Sequence, residues 1–203
     1  MSQWTQLASE QKIESTISAL KANGIDALVA ENGEEAKKKV LGLLPDGAEV
    51  MNMTSVTLDT TGISKEIQDS ERFHSARKKL FSMDMKTQPA EIRRLSAAPE
   101  YAVGSAHAVT EDGKILIASA SGSQLPAYAF GSGKVIFVAG IQKIVKNLEE
   151  GIKRIYEYVL PLEDKRARKA YGVGSGVNKL LIINKEAMPG RITMIFVKEN
   201  LGF

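Results

Sequence analysis

The most constraining feature of the chain is the alternation of two hydrophobic periods in its first fifty residues. Leu7, Ile13, Ile17 and Leu20 recur at near-helical spacing, and Asn23-Gly24 follows as a stop, so residues 2–22 read as an amphipathic helix. "IDALVA" (25–30) is a short apolar run bounded by Gly24 and Asn32-Gly33, the pattern of a buried strand. "GEEAKKKVLGLL" (33–44) returns to the helical period with acids in its first turn, where the helix dipole favours them. Pro45-Asp46-Gly47 makes a turn and "AEVMNM" (48–53) is the next strand. Helix and strand alternating at this spacing imply a parallel sheet covered by helices.

The remaining chain continues that theme with one change. Thr54 or Ser55 can cap a short helix within 54–70, which Gly62 interrupts, and "RFHSARKKLFSM" and "TQPAEIRRLSAA" read as helices on one side of the sheet. After Pro99, "EYAVGSAHAVT" and "KILIASA" are strand-like and are joined by Glu111-Asp112-Gly113, a strong hairpin signal. An antiparallel element inside an otherwise parallel sheet is expected. A short helix at 123–130, a strand at 134–139, helices at about 145–159 and 161–170, and strands at 179–184 and 191–198 complete the chain. The expected class is α/β: three layers, α/β/α, with a mostly parallel central sheet and an antiparallel hairpin. Without an internal repeat or linker, residues 1–203 read as one domain.

Composition removes several chemistries. The 203 residues include no cysteine, which excludes disulfides, thiolate nucleophiles and cysteine-held metal clusters within this chain. Two histidines, His74 and His107, are too few for a three-histidine zinc site, and no metal site is expected. No apolar run approaches the ~20 residues of a membrane span. The start "MSQWTQLASEQK" lacks a basic segment followed by an apolar one, so no secretory signal and a cytoplasmic location are expected. Net charge is +3 with only 6% aromatic residues, a poor match to a nucleic-acid groove, and Asp164 and Arg168 are spaced to pair on a helix face.

Two phosphate motifs fail on inspection. Gly133-Lys134 precedes Val135 where a P-loop needs Ser or Thr, and Tyr128 stands where its first Gly belongs. "GVGSGVN" (172–178) brings its third Gly one residue early for a dinucleotide fingerprint and sits between helix and strand in the wrong order. More general physics remains. "ASASGSQLPAYAFGSGKVIFVAGIQK" (118–143) places Gly122, Ser123 and Gln124 between a strand and a helix, where free amides and the dipole attract anions. Gly140 and Lys143 follow the next strand, and in open α/β sheets ligands lie at strand carboxyl ends. Ser123 as an ordinary N-cap and Lys143 as a solvated first-turn side chain explain the same residues without a ligand. Glu111 is ordinary turn chemistry unless the hairpin folds over the strand ends, and His107 fits either a packed strand residue or a base. The loop flanked by Tyr171 and Asn178 is open between conformational need and ligand access.

Taken together, "YAVGSAHAVTEDGKILIASASGSQLPAYAFGSGKVIFVAGIQKIVKN" with its continuation to Glu186, and "MTSVTLDTTGI" (53–63), resemble the LUD domain, the family of lactate-utilization protein C, in its short single-domain branch. The resemblance implies the fold of the superfamily of sugar-phosphate isomerases, CoA-transferases and formyltetrahydrofolate cyclo-ligases, with a ligand at the strand ends. It implies Glu111 as an acid/base or acyl-accepting carboxylate. It also implies Thr54, Ser55, Gly140 and Lys143, with the helix end at Ser123, around a small anionic metabolite (a carboxylate, an acyl-CoA or a phosphate ester), and the turn chemistry above adds Gly122 and Gln124 to that expected site. The larger relative in the lactate operon carries a ferredoxin-like cysteine domain that this sequence lacks. Lactate oxidation would therefore need an electron acceptor from elsewhere, an iron–sulfur partner or a flavin, and a non-catalytic subunit docking on such a partner is the competing expectation. No cofactor is named by the residues, and self-association stays open.

Overall fold

The computed structural model describes residues 2–203. A single turn at Gln3–Thr5 precedes α1 (Glu10–Ala22), which begins where the Ser9 side chain accepts from the Lys12 amide. The helix is therefore shorter than its apolar spacing predicts, and Leu7 lies outside it, 51% exposed. Then come β1 (Asp26–Ala30), α2 (Gly33–Leu43) capped by Asn32, and β2 (Glu49–Asn52). Ser55 caps α3 (Val56–Thr60), and Gly62, with φ of 72°, turns the chain into α4 (Ile63–Asp69). A two-residue strand β3 (His74–Ser75), α5 (Ala76–Phe81), α6 (Pro89–Ala97) and β4 (Tyr101–Gly104) come next.

After Gly104 the chain leaves one sheet for another. Residues β5 (Ala108–Thr110) and β6 (Ile115–Ser119) form the antiparallel hairpin expected around Asp112-Gly113. The hairpin belongs to a separate four-stranded sheet rather than to the parallel one. The chain re-enters the central sheet with β7 (Lys134–Gly140), passes a turn at Ile141–Lys143 into β8 (Ile144–Val145), and enters α7 (Leu148–Arg154). The break expected between 159 and 161 does not occur. Pro161 offers no amide to the carbonyl of Glu157, and a π turn at Ile155–Val159 absorbs the mismatch, so α7 runs on into α8 (Leu160–Tyr171). Asp164 and Arg168 pair at 2.7 Å along α8, as their spacing implies. The final strands are β9 (Lys179–Ile183) and β10 (Ile192–Val197).

The central sheet has the order β1-β10-β7-β4-β2-β3, every pair parallel. The other sheet has the order β8-β5-β6-β9, with β5–β6 and β6–β9 antiparallel and β5–β8 parallel. Side-chain alternation explains the stacking. Val135, Phe137 and Ala139 of β7 point to a core shared with α1 and with Val109, Ile115 and Ile117 of the second sheet. Ile136 and Val138 point the other way, to Val40 of α2, Leu58 of α3 and Ile67 of α4. Both faces of the central sheet are thus covered, which is why its strands read as continuous apolar runs. The second sheet has its own alternation: Ala108 and Leu116 turn outward beneath Ile155 of the π turn. Among the described residues, no helix is long and apolar enough to cross a membrane.

Candidate functional site

A cavity of about 660 Å³ opens at the carboxyl ends of the central strands. Met53, Thr54 and Ser55 reach it from the end of β2, Ser105, Ala106 and His107 from the end of β4, and Lys143 from the turn after β7. The second sheet supplies Ile117 to Ser119 of β6 together with Ser121, Ser123 and Gln124 beyond it. Arg77 and Phe81 of α5 form one side, while Ile155, Val159, Glu163, Arg166 and Tyr171 of the long α7–α8 helix form the other. Between β4 and β5 the chain crosses from the parallel sheet to the antiparallel one, and the gap so created is the cavity floor.

Lys143 holds the centre of that floor. Its side chain is 2% exposed, and its Nζ lies 3.1 Å from Thr57 Oγ1, 3.2 Å from Ser105 Oγ and 3.2 Å from the Ala106 carbonyl. Burial, reinforced by the nearby Arg154 guanidinium, pulls its pKa down to about 7. Arg154 is itself fully buried, donates to the His107 carbonyl, and lies 5.3 Å from the Tyr158 ring centroid. Its Nε and Nη2 find no acceptor among the described residues. Burial and these two cations push His107 down to about 3, so the imidazole is neutral. His107 Nδ1 accepts from the Ala118 amide at 3.1 Å, which leaves the ring proton on Nε2.

The rim is hydroxyl-rich and carries both signs of charge, Arg77 and Arg166 with Asp59 and Glu163. Arg77 donates to the Asn52 carbonyl at 3.0 Å and to Thr54 Oγ1 at 2.9 Å, with its guanidinium 5.0 Å from the Phe81 ring centroid. Across the opening, Arg166 forks onto Glu163 with two bonds of 2.7 Å, and Glu163 holds the guanidinium above its ordinary pKa. Ser119 donates to Gln124 Oε1 at 3.0 Å. Tyr128 packs its ring on Phe137 and its hydroxyl against the Cα of Gly104, where no larger residue fits.

The structure therefore brings Thr54, Ser55, Ser123, Gln124 and Lys143 to one cavity. The manner differs from the sequence expectation. The amides of Gly122 and Ser123 already donate to the Ser119 and Ser121 hydroxyls, and the next segment is a single π turn at Ala127–Gly131 rather than a regular helix. Lys143 is buried in a tight turn and not solvated on a helix. Gly122 and Gly140 do not line the cavity. Gly122, at φ of 83°, makes a left-handed turn beneath the Lys179 side chain, and Gly140 admits the close passage of residues 199–201. Glu111 lies outside the lining too: it is on the hairpin tip, 3.0 Å from Lys12 of α1. The hairpin packs against α1, where the Asn23 side chain donates to the Asp112 and Gly113 carbonyls, and does not fold over the strand ends.

Arg77, Tyr128, Glu163 and Arg166 are contributors that sequence reasoning passed over. Arg77 and Arg166 lie in segments whose local pattern says only that they are helical, and the three-dimensional path brings both to the cavity. Ser175, Gly176 and Val177 of the glycine-rich loop also border the cavity.

The family model of the LUD domain matches residues 13–197. A crystal structure of a DUF162 family protein from Deinococcus radiodurans superimposes with a TM-score of 0.57, covering 95% of this chain and 99% of that one at 11% identity. At that identity the likeness is one of fold. No curated protein matches the sequence at a significant level. With the family match extending from the first turn of α1 to the last residue of β10, the chain belongs to the LUD domain family.

Proposed function

We propose that this protein is a cytoplasmic LUD protein of lactate-utilization type that binds or acts upon an anionic metabolite in the cavity at the strand ends. One observation carries this reading: Lys143, Arg77 and the hydroxyls of Thr54, Ser55, Ser121 and Ser123 border one hollow at the carboxyl ends of parallel strands. That is the place where open α/β sheets hold ligands, and the donor set matches a carboxylate or phosphate. Glu163 is paired with Arg166 and the Asp59 carboxylate offsets Arg77 in charge, so an anion would be held by the directed donors, the Arg77 guanidinium and the hydroxyls. The volume falls inside the ~300–1,000 Å³ of clefts that enclose a drug-sized molecule. It exceeds the needs of a three-carbon acid and favours an acyl-CoA or phosphate ester, whose apolar part would lie against Phe81, Ile92 and Leu160.

A thermal-shift series with lactate, acetyl-CoA, ADP and glucose 6-phosphate tests the reading. At least one of the four should raise the melting temperature, and Arg77→Ala should diminish that rise. Absence of any shift from all four would overturn it.

A second reading is favoured by Phe81 and Met85, which stand 71% and 67% exposed at the cavity mouth. Apolar side chains so placed suit a docking surface, and a partner carrying an iron–sulfur centre would supply a cysteine-held electron acceptor, for which this sequence has no ligands. A complex with such a partner that Phe81→Asp disrupts, with no shift from the four ligands, would establish that reading in place of the first.

A further inference from the structure

We propose that Lys143 is a carbonyl-reactive amine, condensing with the aldehyde or ketone group of an anionic oxo compound in the cavity to form an imine. The proposal deepens the ligand reading above and rests on it. Among the described residues Lys143 is the only buried lysine, and the ion pairs of the chain go to others: Lys12, Lys37, Lys39, Lys78, Lys114 and Lys198 each face a carboxylate. Among the described residues no carboxylate lies within ion-pair distance of Lys143, and a second cation, Arg154, is in its surroundings. A lysine kept merely to satisfy the Ala106 carbonyl would gain from an acidic partner. Burial beside a cation is the arrangement that releases an amine from its proton at neutral pH.

Lys143 Nζ donates in all three of its contacts, and loss of its proton keeps two of them. Two N–H groups serve the Ala106 carbonyl and Thr57 Oγ1, and Thr57 can pass its own proton to the Leu201 carbonyl at 3.2 Å. In the third contact Nζ donates to Ser105 Oγ at 3.2 Å, and once the proton is lost the same hydroxyl is placed to turn onto the nitrogen lone pair. Ser105 is half-buried and borders the cavity, so rotation of that hydroxyl frees the lone pair on the ligand's side. His107, which also borders the cavity, keeps its proton on Nε2 and can donate a hydrogen bond to a carbonyl oxygen as a neutral electrophile.

The step is balanced within these groups. The nitrogen pair attacks the carbonyl carbon, a C–N bond forms as the C–O π bond breaks, and the oxygen takes a proton. Loss of the hydroxyl as water, with the second proton from nitrogen, gives the imine: amine plus carbonyl yields imine plus water, with no oxidant. The anion-holding groups, Arg77 and the rim hydroxyls, limit the class to oxo compounds bearing a carboxylate or phosphate, the 2-oxo acids being the simplest.

Incubation of the full chain with glyoxylate and cyanoborohydride at pH 7.5, followed by peptide mass spectrometry, reads the reaction directly. Carboxymethylation at Lys143 should proceed at least about tenfold faster than at any surface lysine, since an ordinary lysine with pKa about 10.4 is almost wholly protonated there. The mapping is done on the wild-type chain, so it does not depend on a variant's folding. Labelling spread over surface lysines with none at Lys143 would overturn the proposal. If lactate or ADP stabilises the protein while glyoxylate spares Lys143, the imine fails and the anion site stands. If uncharged formaldehyde labels Lys143 but glyoxylate does not, the cavity rejects anions and both readings fail.

Discussion

Lys143 Nζ lies 3.1 Å from Thr57 Oγ1, a contact that ties the turn after β7 to the first turn of α3. The same Thr57 hydroxyl meets the Leu201 carbonyl at 3.2 Å, so one small side chain joins three segments of the cavity floor. Thr57→Val keeps the shape and removes the oxygen, leaving a buried amine short of a partner. The expected loss is about 1–3 kcal/mol, the range for stranding a buried polar group, measured by denaturant unfolding. A Thr57→Val protein as stable as wild type would mean that the contact contributes nothing.

Stability should rise with pH across the neutral to alkaline range. The folded-state pKa of Lys143 is lowered from 10.5 to about 7, so between those values the unfolded chain binds more protons. Stability from this group is therefore full above about pH 10.5 and is lost as pH falls through 7, with a slope on the order of 1 kcal/mol per pH unit. The charged or titratable neighbours are Arg154 and His107. His107, lowered from 6.5 to about 3, adds a second loss in the same sense as pH falls between those values. Tyr128, whose phenol burial pushes upward, acts oppositely only above pH 10. Urea melts from pH 7 to 9.5 should show the rise, and Lys143→Met should flatten it.

Gly104 marks how tightly the floor is built. A Cβ at this position would overlap the Tyr128 hydroxyl, so Gly104→Ala must displace that ring or the strand end. Overpacking of this kind costs typically about 1–3 kcal/mol. Adding Tyr128→Phe should recover part of the loss, a coupling that a double-mutant cycle measures. Strict additivity would contradict the contact.

The two charged candidates separate by position. Arg77 borders the cavity, and Arg77→Ala should weaken anion binding about tenfold, corresponding to ~1.4 kcal/mol for a charge-assisted hydrogen bond. Glu111 pairs at the surface with Lys12, and Glu111→Gln should leave ligand affinity unchanged while altering stability by less than about 1 kcal/mol. Titration calorimetry on both variants checks the contrast.

The sheet was legible because its strands are buried on both faces. "VIFVAG" and "ITMIF" carry apolar residues almost without interruption, a signal that tolerates no other placement in a chain of this size. The separate second sheet was not legible. Tyr101–Gly104 and Ala108–Thr110 read as one strand, and only three residues, Ser105 to His107, carry the crossing. The continuous α7–α8 helix was hidden for a related reason: Pro161 signals a stop, and a π turn is a tertiary answer that local propensity does not encode. At the site, Lys143 could be placed at a strand end from its spacing alone. Its burial, and the inward turn of Arg77 and Arg166, depend on elements far apart in the chain.

Proton uptake on ligand binding tests the central claim most directly. Isothermal titration at pH 8 in two buffers of different ionisation enthalpy, using whichever of lactate, acetyl-CoA, ADP or glucose 6-phosphate binds, counts protons taken up per ligand. An anion seated over a neutral Lys143 should draw close to one proton, and Lys143→Met should reduce the uptake to near zero. Binding with no proton uptake in the wild-type protein would show that the anion does not sit at Lys143 and would contradict the account.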